Sequence, residues 1–407
     1  MMNVVVVCVD CLRVDFLRED YADTPFIDSL VENNLFFSEM YSTATTTTPA
    51  VASYMTGLYS ENNGVNSLQS VELRDDVNTL AEKFSNEGYV THGEVTGPIS
   101  KETNLNRGFD EYNYRDKATG LFSEWSDEVT NNVAKLKEPF FFYLHLWELH
   151  DPIDVPNGFN SSEYGATNYA RAFSALDRKL EQFVQALPDD TTFCLLGDHG
   201  ESITYRKSRI RRSLKFLRDN IRYRLGLDTR PVERMINRIA PDKRVNDHFI
   251  EMGHGENYFD FTSNVPFLIV NREIEPTTID EQVRQIDIYP TILDISGIPI
   301  DDDLDSETLL PPSDVEPRPA YMRACGESLY DEESWSRGVR AEEMKYIEFP
   351  NREWEATLYD LKSDPAELSP ITDEAKKREM AKLLPTNGLQ DSETINIQER
   401  LEDLGYL

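Results

Sequence analysis

Asn3-Val4-Val5-Val6-Val7-Cys8-Val9 is an unbroken apolar run that stops at Asp10. Its valines are β-branched, and no polar residue alternates with them. A strand of that kind is buried on both faces, as in a mainly parallel sheet. Similar runs return along the chain. Pro139–Leu146 ends around His145 and continues to Glu148 and His150, and Thr192–Leu196 ends at Gly197-Asp198-His199-Gly200-Glu201. Val265–Val270 follows His254-Gly255. Between them, Ile27–Glu32, Val77–Glu87 and Tyr169–Leu187 carry helical periodicity. Strands alternating with helices predict an α/β layered fold, a mainly parallel central sheet flanked by helices. Ligands of such sheets bind beyond the carboxyl ends of the strands. Polar residues gather at three of those ends.

The remaining length fits around that frame. From about residue 313 the apolar runs shorten (Tyr346–Phe349, Thr357–Leu361) and acids interrupt them, with Leu310-Pro311-Pro312 as the junction. The expected division is a catalytic domain over 1–312 and a smaller C-terminal α+β subdomain over 313–407. The chain has 407 residues, 39% of them hydrophobic, with 19 Tyr and 20 Phe, which excludes an acidic disordered chain. No apolar run reaches membrane-spanning length. The N-terminus has neither a basic region nor a small-residue cleavage site, so no signal peptide is expected. Four Cys (Cys8, Cys11, Cys194, Cys325) suit buried reduced thiols.

Charge divides the chain more sharply than hydropathy. It holds 74 acids against 41 bases, a net charge of -33. The acids are spread evenly, which favours a surface adapted to high salt over one cationic partner. Residues 206–244 run the other way, with 14 bases and four acids. There Ile210, Leu214, Leu217, Ile221 and Leu225 recur at helical spacing, and Val232, Met235, Ile236 and Ile239 suggest a second helix. A basic helical insert over 203–247 follows. Either its apolar face packs on the body, or the segment is a positive lid or docking face that draws in an anionic substrate, a polymer or a membrane surface.

Several residues at the strand ends can do chemistry. Asp198-His199 is a carboxylate–imidazole pair suited to a divalent ion, and Asp10 is a second carboxylate that the sheet would bring close. Thr43–Pro49 is a hydroxyl-rich loop leading into an apolar helical stretch. A hydroxyl there would lie at a helix N-terminus, where backbone N–H groups favour an anion. Each feature alone also reads as a cap, turn or surface residue.

Together they resemble the sulfatase-like branch of the alkaline phosphatase/sulfatase superfamily, along nearly the whole chain. The resemblance rests on Val9-Asp10-Cys11-Leu12-Arg13-Val14-Asp15, Thr24-Pro25-Phe26-Ile27-Asp28, Thr47-Thr48-Pro49 with Thr56-Gly57, Gly88-Tyr89, Gly108-Phe109-Asp110, Gly197–Glu201, Asp287-Ile288-Tyr289-Pro290-Thr291 and Leu358-Tyr359-Asp360-Leu361. It implies that Asp10, Asp198 and His199 bind a divalent metal (Mn, Zn, Ca or Mg), with Thr47 as the nucleophile touching it. A second metal is an open alternative. His150 and His254 match positions that hold the transferring group or leaving oxygen, or ligate that second metal. Arg13 and His145 are implied substrate-binding residues, Arg13 having a structural ion pair as its alternative.

Two departures from the family pattern carry weight. Sulfatases oxidise a Cys or Ser within Cys-x-Pro-x-Arg to formylglycine. Here the position is Thr47, whose oxidation would give a ketone, and the Arg position is Val51. Position 11, often a metal carboxylate, is Cys11, read as a buried structural thiol. An unmodified Thr points to phosphoryl chemistry. The expectation is a metal-dependent hydrolase of phosphate diesters, monoesters or related anionic esters. Sulfate-ester hydrolysis, phosphotransfer, and a non-catalytic glycan- or membrane-binding protein are the alternatives. A glycan, lipid head group or nucleotide remains open as substrate, no nucleic-acid partner is expected, and the expected location is the cytoplasm, with the membrane's inner face as an option.

Overall fold

A computed structural model describes residues 1–407 other than 69–71, 117–118, 204–208, 240–244, 246, 252, 326–333 and 387–407. The central sheet is built from β1 (Asn3–Val9), β2 (Leu35–Tyr41), β3 (Val90–Val95), β4 (Glu111–Tyr114), β5 (Phe140–Leu146), β6 (Thr191–Gly197), β7 (Asn264–Val270), β8 (Thr277–Ile279) and β9 (Val283–Arg284). Their order is β4-β3-β5-β1-β6-β7-β2-β8, with β9 also on β2. The Val-rich run lies at the centre, parallel to β5 and β6. Val4, Val6 and Cys8 enter one core with Tyr54, Phe84 and Phe141. Val5, Val7 and Val9 enter the other with Phe142, Tyr169 and Phe173. That two-sided burial is why the run has no alternation.

The sheet is mixed, because β7 runs antiparallel to both β6 and β2. This reversal explains why His254 precedes its strand whereas Asp10 and Asp198 follow theirs. The amino end of β7 lies at the same sheet edge as the carboxyl ends of β1 and β6.

A second sheet, wholly antiparallel, contains β10 (Ala320–Ala324), β11 (Ser336–Ala341), β12 (Met344–Glu348) and β13 (Thr357–Asp360). The helix Glu374–Ala381 covers it through Met380, which packs with Tyr321, Val339 and Leu358. This sheet braces the hydroxyl-rich loop. Arg323 N–H donates to the Thr43 carbonyl (2.9 Å), and Thr45 N–H donates to that of Arg323 (3.1 Å). All four Cys are free and buried.

The basic insert forms helices Arg209–Asp219 and Arg230–Ile239. Residues 204–208, 240–244 and 246 of the expected 203–247 segment lie outside the described residues. The expectation that its apolar face could pack on the body is overturned. Ile210 is 72% exposed, Leu217 56% and Ile239 76%, while Arg218 and Arg222 are buried. Arg218 is therefore unavailable to draw in anionic substrates. No described helix is long and apolar enough to cross a membrane.

Candidate active site

The register of the central strands assembles the site. Val9 pairs with Gly197, so Asp10 and Asp198, each one residue beyond its strand, become neighbours. Gly197 is needed there, since a Cβ would lie 2.5 Å from the Leu12 carbonyl oxygen. The chain turns sharply after Asp10. Cys11 holds φ 66°, a left-handed conformation that costs a non-glycine residue on the order of 1 kcal/mol. Its N–H donates to Asp198 Oδ1 at 3.1 Å. Asp198 Oδ1 also accepts from His199 N–H (2.8 Å). Its Oδ2 is buried, accepts no hydrogen bond, and faces His199 Nε2 at 3.4 Å and His145 Nε2 at 4.0 Å.

His199 donates from Nδ1 to the Gly200 carbonyl at 2.9 Å. That bond leaves Nε2 as the lone-pair nitrogen, the arrangement usual for a metal-binding imidazole. Nε2 lies 3.7 Å from Asp10 Oδ1 and 3.3 Å from Thr47 Oγ1. Burial pushes the His199 pKa down to about 4, so the ring is neutral at neutral pH. Burial pushes Asp198 up, but His199 and His145 outweigh it and hold the carboxyl well below its usual range.

Thr47 opens the helix Thr47–Thr56, after Thr46 in extended conformation. Its hydroxyl therefore stands at the end of the helix where backbone N–H groups lack internal partners. His254 lies on the far side of His199, with ring centroids 4.2 Å apart, and its Nδ1 is 3.2 Å from Glu201 Oε2. His150 stacks on Trp147 (4.0 Å) and lies 5.4 Å from His254. It donates from Nδ1 to the Asp151 carbonyl at 2.7 Å.

Among the described residues, two three-residue groups have the spacing to hold an ion: Asp10, Asp198 and His199, and Cys11, His199 and His254. Three buried carboxylates, Asp10, Asp198 and Glu201, gather here around the neutral His199 ring. That excess of negative charge, with a preset imidazole and an Asp198 oxygen that accepts no hydrogen bond, fits a divalent cation. Cys11 Sγ lies 3.0 Å from Asp10 Oδ1, 3.5 Å from Glu201 Oε2 and 3.8 Å from His254 Nδ1. Burial, then Asp10 and Glu201, push its pKa well above the usual thiol value.

Both residues expected to bind substrate, Arg13 and His145, lie in the interior. The Arg13 guanidinium is wholly buried, bonded to Asp15 at 2.9 and 2.6 Å and to the Glu201 carbonyl at 3.0 Å. It ties the Asp10 and Asp198 loops together, which is the structural alternative. His145 sits beneath Asp198, with Nδ1 3.1 Å from Thr96 Oγ1. A cleft beside it is lined by Thr96, Arg115, Trp147, Glu148 and Asp154.

Sequence reasoning missed Gln285 and Arg115. Gln285 donates to the Gly197 and Asp198 carbonyls (2.9 and 2.7 Å), and Arg115 donates to that of His145 (2.6 Å). Neither has a local signal, because each acts on backbone from a distant segment. Glu201 stood within the quoted motif and could have been found there.

A layered α/β fold with this carboxylate–histidine–threonine cluster defines an ester hydrolase of the alkaline phosphatase type. The chain belongs to the sulfatase family, which residues 2–298 match, while residues 258–393 match the C-terminal region of N-sulphoglucosamine sulphohydrolase. It is 24% identical to the uncharacterized sulfatase YidJ of Escherichia coli K12, over 87% of this chain and 79% of that one. The fold is similar to that of the phosphonate monoester hydrolase of Agrobacterium radiobacter (TM-score 0.71, 17% identity, 94% of each chain). The phosphonate monoester hydrolase of Silicibacter pomeroyi has a TM-score of 0.69, with 17% identity over 94% of each chain. A Bacteroides thetaiotaomicron protein of glycosaminoglycan metabolism has a TM-score of 0.67, again with 17% identity over 94% of each chain.

Proposed function

We propose that this enzyme cleaves phosphate or phosphonate esters with Thr47 as nucleophile, and that Asp10, Asp198 and His199 hold a divalent metal beside it. The observation that carries the reading is Thr47 Oγ1 at a helix N-terminus, 3.3 Å from His199 Nε2 and next to the carboxylate pair. When bound, the ion would favour the ionised form of the Thr hydroxyl and polarise the ester. Thr47 Oγ would attack phosphorus in line, forming a Thr47–phosphate bond as the bond to the leaving oxygen breaks. Backbone N–H groups of the helix start would face the charge that develops. His150 and His254 are the candidates to donate a proton to the leaving oxygen, and Glu201 orients His254. Water would then attack the same phosphorus, breaking its bond to Thr47 Oγ, which takes up a proton from that water, and phosphate, a phosphate monoester or a phosphonate would leave according to the substrate.

The similar folds include both phosphonate monoester hydrolases and sulfatases. The preference for phosphorus over sulfur rests on Thr47, which has no route to the formylglycine aldehyde. Sulfate-ester hydrolysis and phosphotransfer by the same hydroxyl are the competing readings. The test is turnover of aryl phosphate, phosphodiester, phenylphosphonate and sulfate with Mn, Zn, Mg and Ca, together with Thr47→Ala. Phosphorus esters cleaved fastest, and lost in the variant, support the proposal. Sulfate turnover that survives Thr47→Ala overturns it. We further propose a cytoplasmic, high-salt setting, motivated by the net charge of -33. Its check is a thermal midpoint that rises from low to molar KCl.

A further inference from the structure

The insert is folded with its polarity reversed. On the helix Arg209–Asp219, Arg218 points inward and is buried, with Lys215 partly buried beside it. Arg218 pairs with Glu251 (3.3 Å) and Glu256 (2.5 Å), and Lys215 with Glu256 (2.9 Å). Arg222 continues the inner side and pairs with Glu233 at 2.9 Å. The second helix is held the same way. Arg230 donates to Thr357 Oγ1 (2.8 Å), and Arg238 donates to the Leu368 carbonyl (2.6 Å). Charges hold the insert to the body.

Most of its large apolar residues are left outside, with Leu214, Ile221 and Ile236 half-buried. Among the described residues, eleven large hydrophobic side chains are exposed, and eight of them lie between 210 and 239: Ile210, Phe216, Leu217, Leu225, Leu227, Val232, Met235 and Ile239. Helical geometry sets Arg209 and Arg212 on the same side as Ile210, Phe216 and Leu217. Arg209, Arg212 and Arg224 are all exposed. Asp228 is the exposed acid of the described stretch, and it is paired to Arg230 at 2.7 Å. Soluble surfaces rarely gather apolar side chains in this way without a partner.

We propose that this face docks on an anionic lipid bilayer, with Phe216, Leu217, Val232 and Met235 entering the interface and Arg209, Arg212 and Arg224 meeting lipid phosphates. Charge complementarity selects this occupant. A bilayer of acidic lipids satisfies apolar and cationic side chains together. A second copy presenting the same face would press two arginine-rich surfaces against each other. The rest of the chain, at -43 once 206–244 is set aside, would be repelled by the same bilayer. Docking is thereby confined to one side of the molecule.

The experiment is co-sedimentation of the full chain with vesicles of phosphatidylcholine alone or mixed with phosphatidylglycerol. The comparison protein is a triple variant, Phe216→Ser, Leu217→Ser and Met235→Ser. Wild type should bind the mixed vesicles at least tenfold better than phosphatidylcholine, and the variant should lose at least tenfold. The three residues are exposed, so the variant should keep its thermal midpoint and its turnover of a soluble aryl ester. Changing Arg209, Arg212 and Arg224 to Gln should remove the preference for phosphatidylglycerol. Absence of wild-type binding overturns the proposal. So does a concentration-dependent dimer that the triple variant dissociates, since a second copy would then cover the face.

Discussion

Two clusters of buried charge lie close together in this molecule and are built on opposite plans. At the root of the insert, Arg218, Arg222 and Lys215 meet Glu233, Glu251 and Glu256 at 2.5–3.3 Å. Burial pushes Glu256 up, but Lys215 and Arg218 overcome it and hold the carboxyl at about 2. In the cleft, Asp10, Asp198 and Glu201 gather beside the His199 ring, which burial keeps neutral at neutral pH, and Asp198 Oδ2 accepts no hydrogen bond. Each acid of the first cluster, Asp219 included, faces a guanidinium or ammonium, and that cluster is structural. Asp198 faces imidazoles and backbone N–H groups instead, and a divalent cation in the proposed metal site would supply the positive charge. Asking what each carboxylate faces separates scaffold from site better than burial does, because both clusters are largely buried.

The largest effect should come from the cleft. Thr47→Ala removes the proposed nucleophile and should lower turnover by roughly 10³-fold or more, with the denaturation midpoint nearly unmoved. A variant that keeps a tenth of wild-type turnover would falsify the assignment of Thr47. Asp198→Asn should abolish bound metal by elemental analysis while the metal-free protein stays as stable as wild type, because the change relieves like-charge crowding.

Arg218→Ala should do the reverse. It leaves Glu233, Glu251 and Glu256 undercompensated in the interior, at a cost of about 3–5 kcal/mol. Metal content per folded molecule should hold. If Arg218→Ala is harmless and Asp198→Asn unfolds the protein, the contrast between the clusters is wrong.

A smaller effect sits between them, at His248. Burial pushes its pKa down to about 4 from 6.5, and its ring donates to the Ala366 carbonyl at 2.7 Å. The folded state refuses a proton that the unfolded state accepts. Stability from this residue is therefore flat above pH 6.5 and falls as the pH drops towards 4, by about 2 kcal/mol at pH 5. His248→Gln keeps a donor and removes the titration. Its unfolding free energy should fall less between pH 7 and 5 than that of wild type, and equal slopes would remove His248 from the account.

Legibility followed the range over which a signal acts. β1 could be read because a Val-rich run needs nothing beyond itself to announce two-sided burial. Asp10, Asp198 and His199 could be read because they end such runs. β2 was overlooked because Ser38 and Glu39 interrupt it, and β3 because His92 and Glu94 satisfy each other in its interior at 2.7 Å. The direction of β7 has no local mark. The insert shows the limit most plainly. Period 3.6 established helices, but which side faces inward depended on Glu251 and Glu256, beyond the segment itself. Arg13 was ambiguous for the same reason, since Asp247, 3.8 Å away, is far along the chain.

The two ends of the insert meet at a narrow neck. Ser202 Oγ and Ile203 N–H both donate to the Asp247 carboxylate, at 2.9 and 2.8 Å, and Ser202 N–H donates to the Gly253 carbonyl at 3.2 Å. A chain that departs and returns through adjoining hydrogen bonds adds its excursion without altering the register of β6 or β7. Such a segment is a cassette. Its loop-closure cost grows only logarithmically with length, so it can be lengthened, shortened or exchanged while Asp198 on one side of the neck and His254 on the other keep their places. The face that the insert presents can therefore change from one chain to another without rebuilding the edge of the sheet where Asp10 and Asp198 meet.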